Sequence, residues 1–321
     1  MTEVPVRPPF DREAAVALAA IADQLEPVTP ETISAMRSRG TPLDLSDDAL
    51  ADVGITRRDL AIAGYNGDEI TVSVLERAGR TGTGPGIFHT HGGGMITGDR
   101  MVGVQQLLPW IVEHDAVVVT VEYRLAPEFP DPYPVEDCYA GLRWTAAHAA
   151  ELGIDPERLL IAGASAGGGL AAGVTLMARD RNGPRLLGQL LICPMIDDRD
   201  TPVSTAQYPD EGTWVRSSNR TGWNALLGER RGTDEVSVYA APARATDLSG
   251  LPPAFIDCGS AEVFRDEDVA YASALWRDGV QAELHVWPGG FHGFDMLAPQ
   301  AAVSQAATAA RDAWVARLFG A

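Results

Sequence analysis

Six short apolar runs, each of strand length, mark the chain at residues 86–90, 116–121, 158–162, 187–193, 253–258 and 282–287. Helical runs separate most of them, the clearest at 166–181, rich in Ala, Leu, Met and Gly. That alternation predicts an α/β fold with a largely parallel sheet covered on both faces. Val117, Val118 and Val119 sit in an unbroken apolar run, as a buried central strand requires. Upstream the pattern changes. Residues 11–26 read as a helix with Val16, Ala20, Ile21 and Leu25 near one face. Thr29 before Pro30 predicts a second helix start with Gly40 as its stop, and Ser46 caps a short helix ending at Gly54. Residues 57–63 and 69–76 flank Asn66-Gly67, a hairpin signal. These first helices, residues 1–55, look like an N-terminal cap on a core that begins at residue 56. One stretch, 197–242, breaks the strand–helix alternation and carries Tyr208, Trp214, Trp223 and Tyr239 among polar residues.

The 321 residues suffice for one substantial core or a core with a cap. A formal charge of −19 argues against nucleic acid or an anionic membrane as partner. No apolar stretch approaches a membrane span, and residues 1–5 show neither a basic nor an apolar leader region, so a cytoplasmic location is expected. The three cysteines, Cys138 on a helix and Cys193 and Cys258 at strand ends, read as buried free thiols. Gly82-x-Gly84-x-Gly86 precedes a strand instead of opening a helix, so it is no dinucleotide fingerprint, and no cofactor is expected.

The densest chemical signal is Gly163-Ala164-Ser165-Ala166-Gly167, between an apolar strand and a helix. A serine there sits on a tight strand-to-helix turn with its hydroxyl pushed out at the sheet's end. A Cβ on either flanking glycine would meet the neighbouring strand or helix. The helix start behind the serine favours a developing negative charge. Upstream, His91-Gly92-Gly93-Gly94 follows another strand; consecutive glycines let backbone N–H groups turn toward a ligand. Gly93, Gly94 and Ala166 are the candidate oxyanion-hole donors.

With these motifs, and with Tyr123-Arg124-Leu125-Ala126-Pro127-Glu128, Leu251-Pro252-Pro253, the loop 259–268 and His292-Gly293-Phe294, the chain resembles the hormone-sensitive-lipase-like branch of the α/β-hydrolases from about Thr56 onward. The resemblance implies a Ser–acid–His triad in that chain order. Ser165 would be the nucleophile and His292, on the loop after the last strand, the base. The family's Asp-Pro-Leu-Arg-Asp-Glu stands here as Glu262-Val263-Phe264-Arg265-Asp266-Glu267, which puts Glu262 at the acid position. Asp266 is the rival, though its place at the next helix start suits a structural role, and Asp257 falls in a strand. The resemblance also implies that residues 197–242 form a second cap segment, leaving 56–196 and 243–321 as the catalytic core. It implies a carboxylesterase for short- to medium-chain acyl esters, and a possible homodimer through the last strand and helix. Met95, Met195 and Ile196 are candidate substrate-pocket residues. Arg124 and Glu128 are candidate salt-bridge partners in a loop beneath the site.

Three other readings use the same residues differently. A lactonase or amidase needs the same triad. His89 and His91, on one face of a strand, have the spacing of a metal pair. A non-catalytic small-molecule receptor on this fold would lack the nucleophile or the base, and both residue types are present.

Overall fold

The computed structural model describes residues 5–38 and 45–320. Eight strands form one sheet: β1 (Ile55–Ala63), β2 (Glu69–Arg77), β3 (Gly84–Thr90), β4 (Val117–Glu122), β5 (Ile154–Ala164), β6 (Gly188–Ile192), β7 (Ala254–Gly259) and β8 (Ala282–Trp287). Their order across the sheet is β1-β2-β4-β3-β5-β6-β7-β8. β1 and β2 form an antiparallel hairpin, and β2 runs antiparallel to β4. Every later pairing is parallel. The Asn66-Gly67 turn has the positive φ values, 61° and 83°, that its residue types accept cheaply.

Eleven helices accompany the sheet among the described residues: α1 (Arg12–Ala20), α2 (Ile33–Arg37), α3 (Asp47–Asp52), α4 (Leu108–His114), α5 (Tyr133–Ala147), α6 (Ala166–Asp180), α7 (Val203–Gln207), α8 (Arg216–Leu227), α9 (Arg265–Arg277), α10 (Phe294–Leu297) and α11 (Ala302–Gly320). One face of the sheet packs Phe88, Val119 and Ile161 against Leu142 of α5, Leu170 and Val174 of α6, and Leu275 of α9. The other packs Ile87, Val118 and Leu160 with Trp110 and Ile111 of α4 and Val315 and Phe319 of α11. The alternating strand residues thus feed two cores, which is why the parallel strands read as unbroken apolar runs. No helix among the described residues is long and apolar enough to cross a membrane.

The N-terminal elements depart from the pattern read in the sequence. α1 stops at Ala20 and buries Ala14 and Leu18, while Val16 is 70% exposed. The buried pair meets Phe291 and Phe294 near the sheet's end, and a small Ala14 suits that close approach. Thr29 opens a turn instead of a helix: its N–H donates to Thr32 Oγ1 and its carbonyl accepts from the same hydroxyl, and α2 starts at Ile33. Gly40 lies outside the described residues. Ser46 does cap α3, accepting from the Ala49 N–H at 3.3 Å.

Candidate active site

The site lies at the carboxyl ends of β3, β5, β7 and β8. Ser165 follows β5 directly at φ 58°, ψ −125°, a strained conformation for a residue with a Cβ. Its backbone is pinned on both sides: its N–H donates to Ile192 O at 2.8 Å, and its carbonyl accepts from Met195 and Gly169. A Cβ on Gly167 would overlap the Thr90 carbonyl oxygen, and one on Gly163 would overlap the backbone of Gly167. The elbow therefore needs both glycines for close backbone approach.

His292 sits in the loop after β8. Its Nε2 lies 2.9 Å from Ser165 Oγ, and its Nδ1 lies 2.6 Å from Glu262 Oε2. Glu262 is 2% exposed, and its second oxygen accepts the Gly259 N–H at 2.8 Å. A carboxylate only accepts, so Nδ1 carries the ring proton and Nε2 faces the serine with its lone pair. The two loops are laced together by backbone: Ala261 N–H to Gly290 O at 3.0 Å, Ser260 N–H to Trp287 O at 2.8 Å, and Gly289 N–H to Ser260 Oγ at 2.8 Å. A Cβ on Gly259 would strike Gly290 O, so the acid loop and the histidine loop approach as closely as backbones can. Phe264 sets its ring against the His292 imidazole, centroids 5.1 Å apart and nearly perpendicular. Behind the loop, buried Arg311 of α11 donates to Asp257 at 2.8 Å and to Asp295. Asp257 is thus a strand-borne ion-pair partner, and Asp266 accepts from the Ser204 N–H at the start of α7, at 2.8 Å.

The glycine loop lies beside the serine. Gly93 and Gly94 have φ values of 116° and 64° and, among the described residues, their N–H groups have no protein acceptor. Ala166 opens α6, where the first N–H groups have no partner within the helix. Trp214 covers Gly94 so closely that a Cβ there would collide with its ring. His91 stacks on Tyr123 with centroids 4.1 Å apart, and the Tyr123 hydroxyl donates to His91 O at 2.9 Å. His91 Nδ1 donates to Gly92 O at 2.8 Å and His89 Nδ1 lies 2.9 Å from Thr120 Oγ1, so each ring holds backbone or strand in place. Thr120 spends its own proton on Arg100 O, which leaves the His89 ring as donor. Burial pushes the His89 imidazole down to about 3 and lowers His91 as well, keeping both neutral.

A cavity of about 530 Å³ opens beside Ser165 and His292. Met36, Val102, Met296 and Leu297 give it apolar walls, and Gln105 and Asp295 add polar edges. Met95, Met195 and Ile196 do not line it. All three are fully buried in the core, with Met95 directed at α6 and Met195 at α8, because the chain turns inward after the glycine loop and after β6. The sequence signal for this lining was the apolar Met296-Leu297 pair just past His292, which the structure leaves more than 40% exposed. Met36 and Thr213 reach the cavity from segments far away in sequence, where no local pattern points to them. Arg124 and Glu128 do not pair with each other. Arg124 forks onto Asp137 and Asp68, and Glu128 takes Arg37.

Residues 87–296 match the family model described as the alpha/beta hydrolase fold. Carboxylesterase NlhH of Mycobacterium tuberculosis is 35% identical over 281 residues, 84% of this chain and 85% of that protein. Among solved structures, a bacterial heroin esterase superposes with a TM-score of 0.87 at 38% identity, covering 97% of this chain and 98% of that one. A hyperthermophilic esterase from the archaeon Pyrobaculum calidifontis gives 0.84 at 30% identity, covering 98% and 100%. Fold, motif order and relatives agree: the chain belongs to the α/β-hydrolase family, in its hormone-sensitive-lipase-like branch of carboxylic ester hydrolases.

Proposed function

We propose that this ester hydrolase works through an acyl-enzyme, with Ser165 as nucleophile, His292 as base and Glu262 as acid. The observation that carries the reading is the continuous hydrogen-bonded line from Glu262 through His292 to Ser165, at 2.6 and 2.9 Å. His292 Nε2 takes the hydroxyl proton as Ser165 Oγ attacks the ester carbonyl. Buried Glu262 holds the tautomer and stabilises the imidazolium. The N–H groups of Gly93, Gly94 and Ala166 receive the tetrahedral oxyanion, each worth about 3 kcal/mol of barrier. The imidazolium then protonates the leaving alcohol, and water repeats the sequence to release the acid.

The substrate is a short- to medium-chain acyl ester. The cavity of about 530 Å³ is mid-range for a small-ligand site, and its methionine and leucine walls suit an alkyl chain. Residues 1–55 and 197–242 act as a cap over it. Supporting this, Met36 and Thr213 line the cavity, and Thr213 Oγ1 donates to His292 O. The enzyme is cytoplasmic, a reading supported by three buried free cysteines. It pairs with a second copy through β8, an edge strand of the sheet with Val286 partly exposed.

Replacing Ser165 by Ala should lower kcat on a nitrophenyl ester by about 10⁶-fold with an unchanged circular dichroism spectrum. Wild-type turnover by that variant overturns the reading. Nitrophenyl esters of rising chain length, run beside a lactone and an anilide, decide acyl and leaving-group preference. EDTA should leave the rate unchanged; its loss would favour the metal pair at His89 and His91.

A further inference from the structure

Cys193 takes part in none of these steps, yet its thiol stands beside two residues that do. It follows β6 at φ 37°, its N–H donates to Asp257 O at 2.6 Å, and it shares the cavity wall with Ser165 and His292. Its Sγ, a Glu262 carboxylate oxygen and a His292 ring nitrogen all lie within 4.8 Å of one another. Among the described residues it is the one such three-donor group of His, Cys and acidic side chains.

Thiolate, imidazole and carboxylate together are a donor set for zinc or its softer congener cadmium. Metal–ligand bonds of about 2.0–2.3 Å at tetrahedral angles hold donors roughly 3.5 Å apart. The three groups therefore need only small shifts: the Glu262–His292 pair opens from its 2.6 Å contact, and the sulfur, within 4.8 Å of both, closes on them. The cavity supplies the entry path and room for water as a fourth ligand. A serine triad alone offers two such donors, and Cys193 makes them three.

We propose that Cys193, Glu262 and His292 form an inhibitory site for a thiophilic divalent cation, zinc or cadmium. The inhibitory part rests on the triad reading above. The cation bonds to His292 Nδ1, to the Glu262 carboxylate and to the Cys193 sulfur. The thiol proton leaves to solvent, and the ring proton moves from Nδ1 to Nε2. One proton is released per cation and no electron is transferred. Nε2 then donates toward Ser165 Oγ instead of accepting, so the hydroxyl has no base.

The test titrates the whole protein with cadmium chloride and zinc chloride. It follows nitrophenyl ester hydrolysis and, separately, the ultraviolet cadmium–thiolate charge-transfer absorption. One equivalent of cadmium should raise that absorption in wild type and in the Ser165→Ala variant. The absorption should vanish in Cys193→Ala and persist in Cys258→Ala. Losing a group merely bonded to a metal ligand costs about ten- to hundred-fold in affinity. Losing the ligand itself should raise the half-inhibiting cadmium concentration at least as much, measured against each variant's own uninhibited rate. Cys193→Ser repeats the comparison with the side-chain shape kept, should the alanine variant fold poorly. EDTA should restore activity. Equal inhibition of wild type and both Cys193 variants overturns the proposal, as does a missing absorption in wild type or one that follows Cys258. Because absorption is read in Ser165→Ala, binding and the serine's role fail separately.

Discussion

The strand ends and the segments proposed above to cap them are held by different means. At the strand ends, side chains of the site hang on backbone that admits no Cβ at Gly163, Gly167 or Gly259, and on charges sealed from water, Glu262 and the Arg311 pair. The segments proposed as the cap are anchored by buried apolar residues such as Ile33 and Trp223 and by the buried Val28 N–H to Ser218 Oγ bond, but most of their polar ties are partly exposed contacts between distant residues. Arg37 donates to the carbonyls of Ile96 and Ala126, Thr221 to Val28 O, Tyr208 to Pro8 O, and Arg7 pairs with Glu211. The first region is rigid because any displacement overlaps atoms or strands a charge. The second exchanges its exposed ion pairs, Arg7 with Glu211 and Arg37 with Glu128, with water at little cost. Chemistry that needs sub-ångström placement therefore sits on the first, and the walls that meet variable substrate come partly from the second.

The sharpest break between the regions is chemical. Glu262→Gln presents an N–H₂ to His292 Nδ1 and favours the wrong tautomer, so kcat should fall by about 10⁴-fold, near 5 kcal/mol of barrier. The rival carboxylate, changed as Asp266→Asn, should leave kcat within about two-fold, since it accepts from the Ser204 N–H at the start of α7 and touches neither His292 nor Ser165. Steady-state kinetics on one ester reads both. Reversed effects would move the acid to residue 266.

The next break is thermodynamic. Arg311→Met leaves Asp257, which is fully buried, and Asp295 without their cation. Breaking such a pair costs about 3–5 kcal/mol. Urea titration should show the loss. A shift below about 1 kcal/mol would mean the cluster is hydrated and that the strand-end region is less sealed than its burial implies.

What could be read in the chain follows the same division. The serine turn, the glycine loop and the strand positions from residue 86 onward were legible because each depends on neighbours within a few residues: a Gly two places from Ser165, a glycine triplet, an apolar run of five. The pocket was not. Met95 and Met195 stand next to the right motifs, but the backbone turns them inward. Met36 and Thr213 arrive from segments far from the motifs in sequence, Thr213 bonding His292 O across 79 residues. The α1 face was misread for a related reason: periodicity marks Val16 and Ile21, whereas the partner surface at Phe291 and Phe294 selects Ala14 and Leu18. Arg124 and Glu128 show it with charges, each finding a partner outside the motif they share.

A smaller effect tests how dry the strand ends are. Folded His89 titrates near 3, below its ordinary 6.5. Between those values the unfolded chain binds a proton that the folded chain does not, so stability rises with pH across the window. His89 thus contributes its full share above pH 6.5 and loses it as pH falls toward 3, on the order of a few kcal/mol in total. The stability of wild type minus that of His89→Gln, from urea midpoints at steps of pH, should fall on acidification through this window. A flat difference would show His89 hydrated in the folded state.

The smallest expected effect belongs to the covering segments, and it tests the comparison from its other side. Arg37 reaches from α2 to Ile96 O and Ala126 O at 2.7 Å each and forks onto Glu128 at 2.9 Å. It makes more hydrogen bonds than Arg311. Its side chain is 27% exposed and that of Glu128 is 56% exposed, so water replaces the ion pair that Arg37→Ala removes, while the carbonyls of buried Ile96 and Ala126 lose a donor. Stability should therefore drop by about 1–3 kcal/mol. The kinetic signature should fall on KM, because α2 carries Met36 in the cavity wall while the triad hangs on other elements. If kcat fell instead and KM held, α2 would be bracing the glycine loop through Ile96, and the two regions would share one rigid frame.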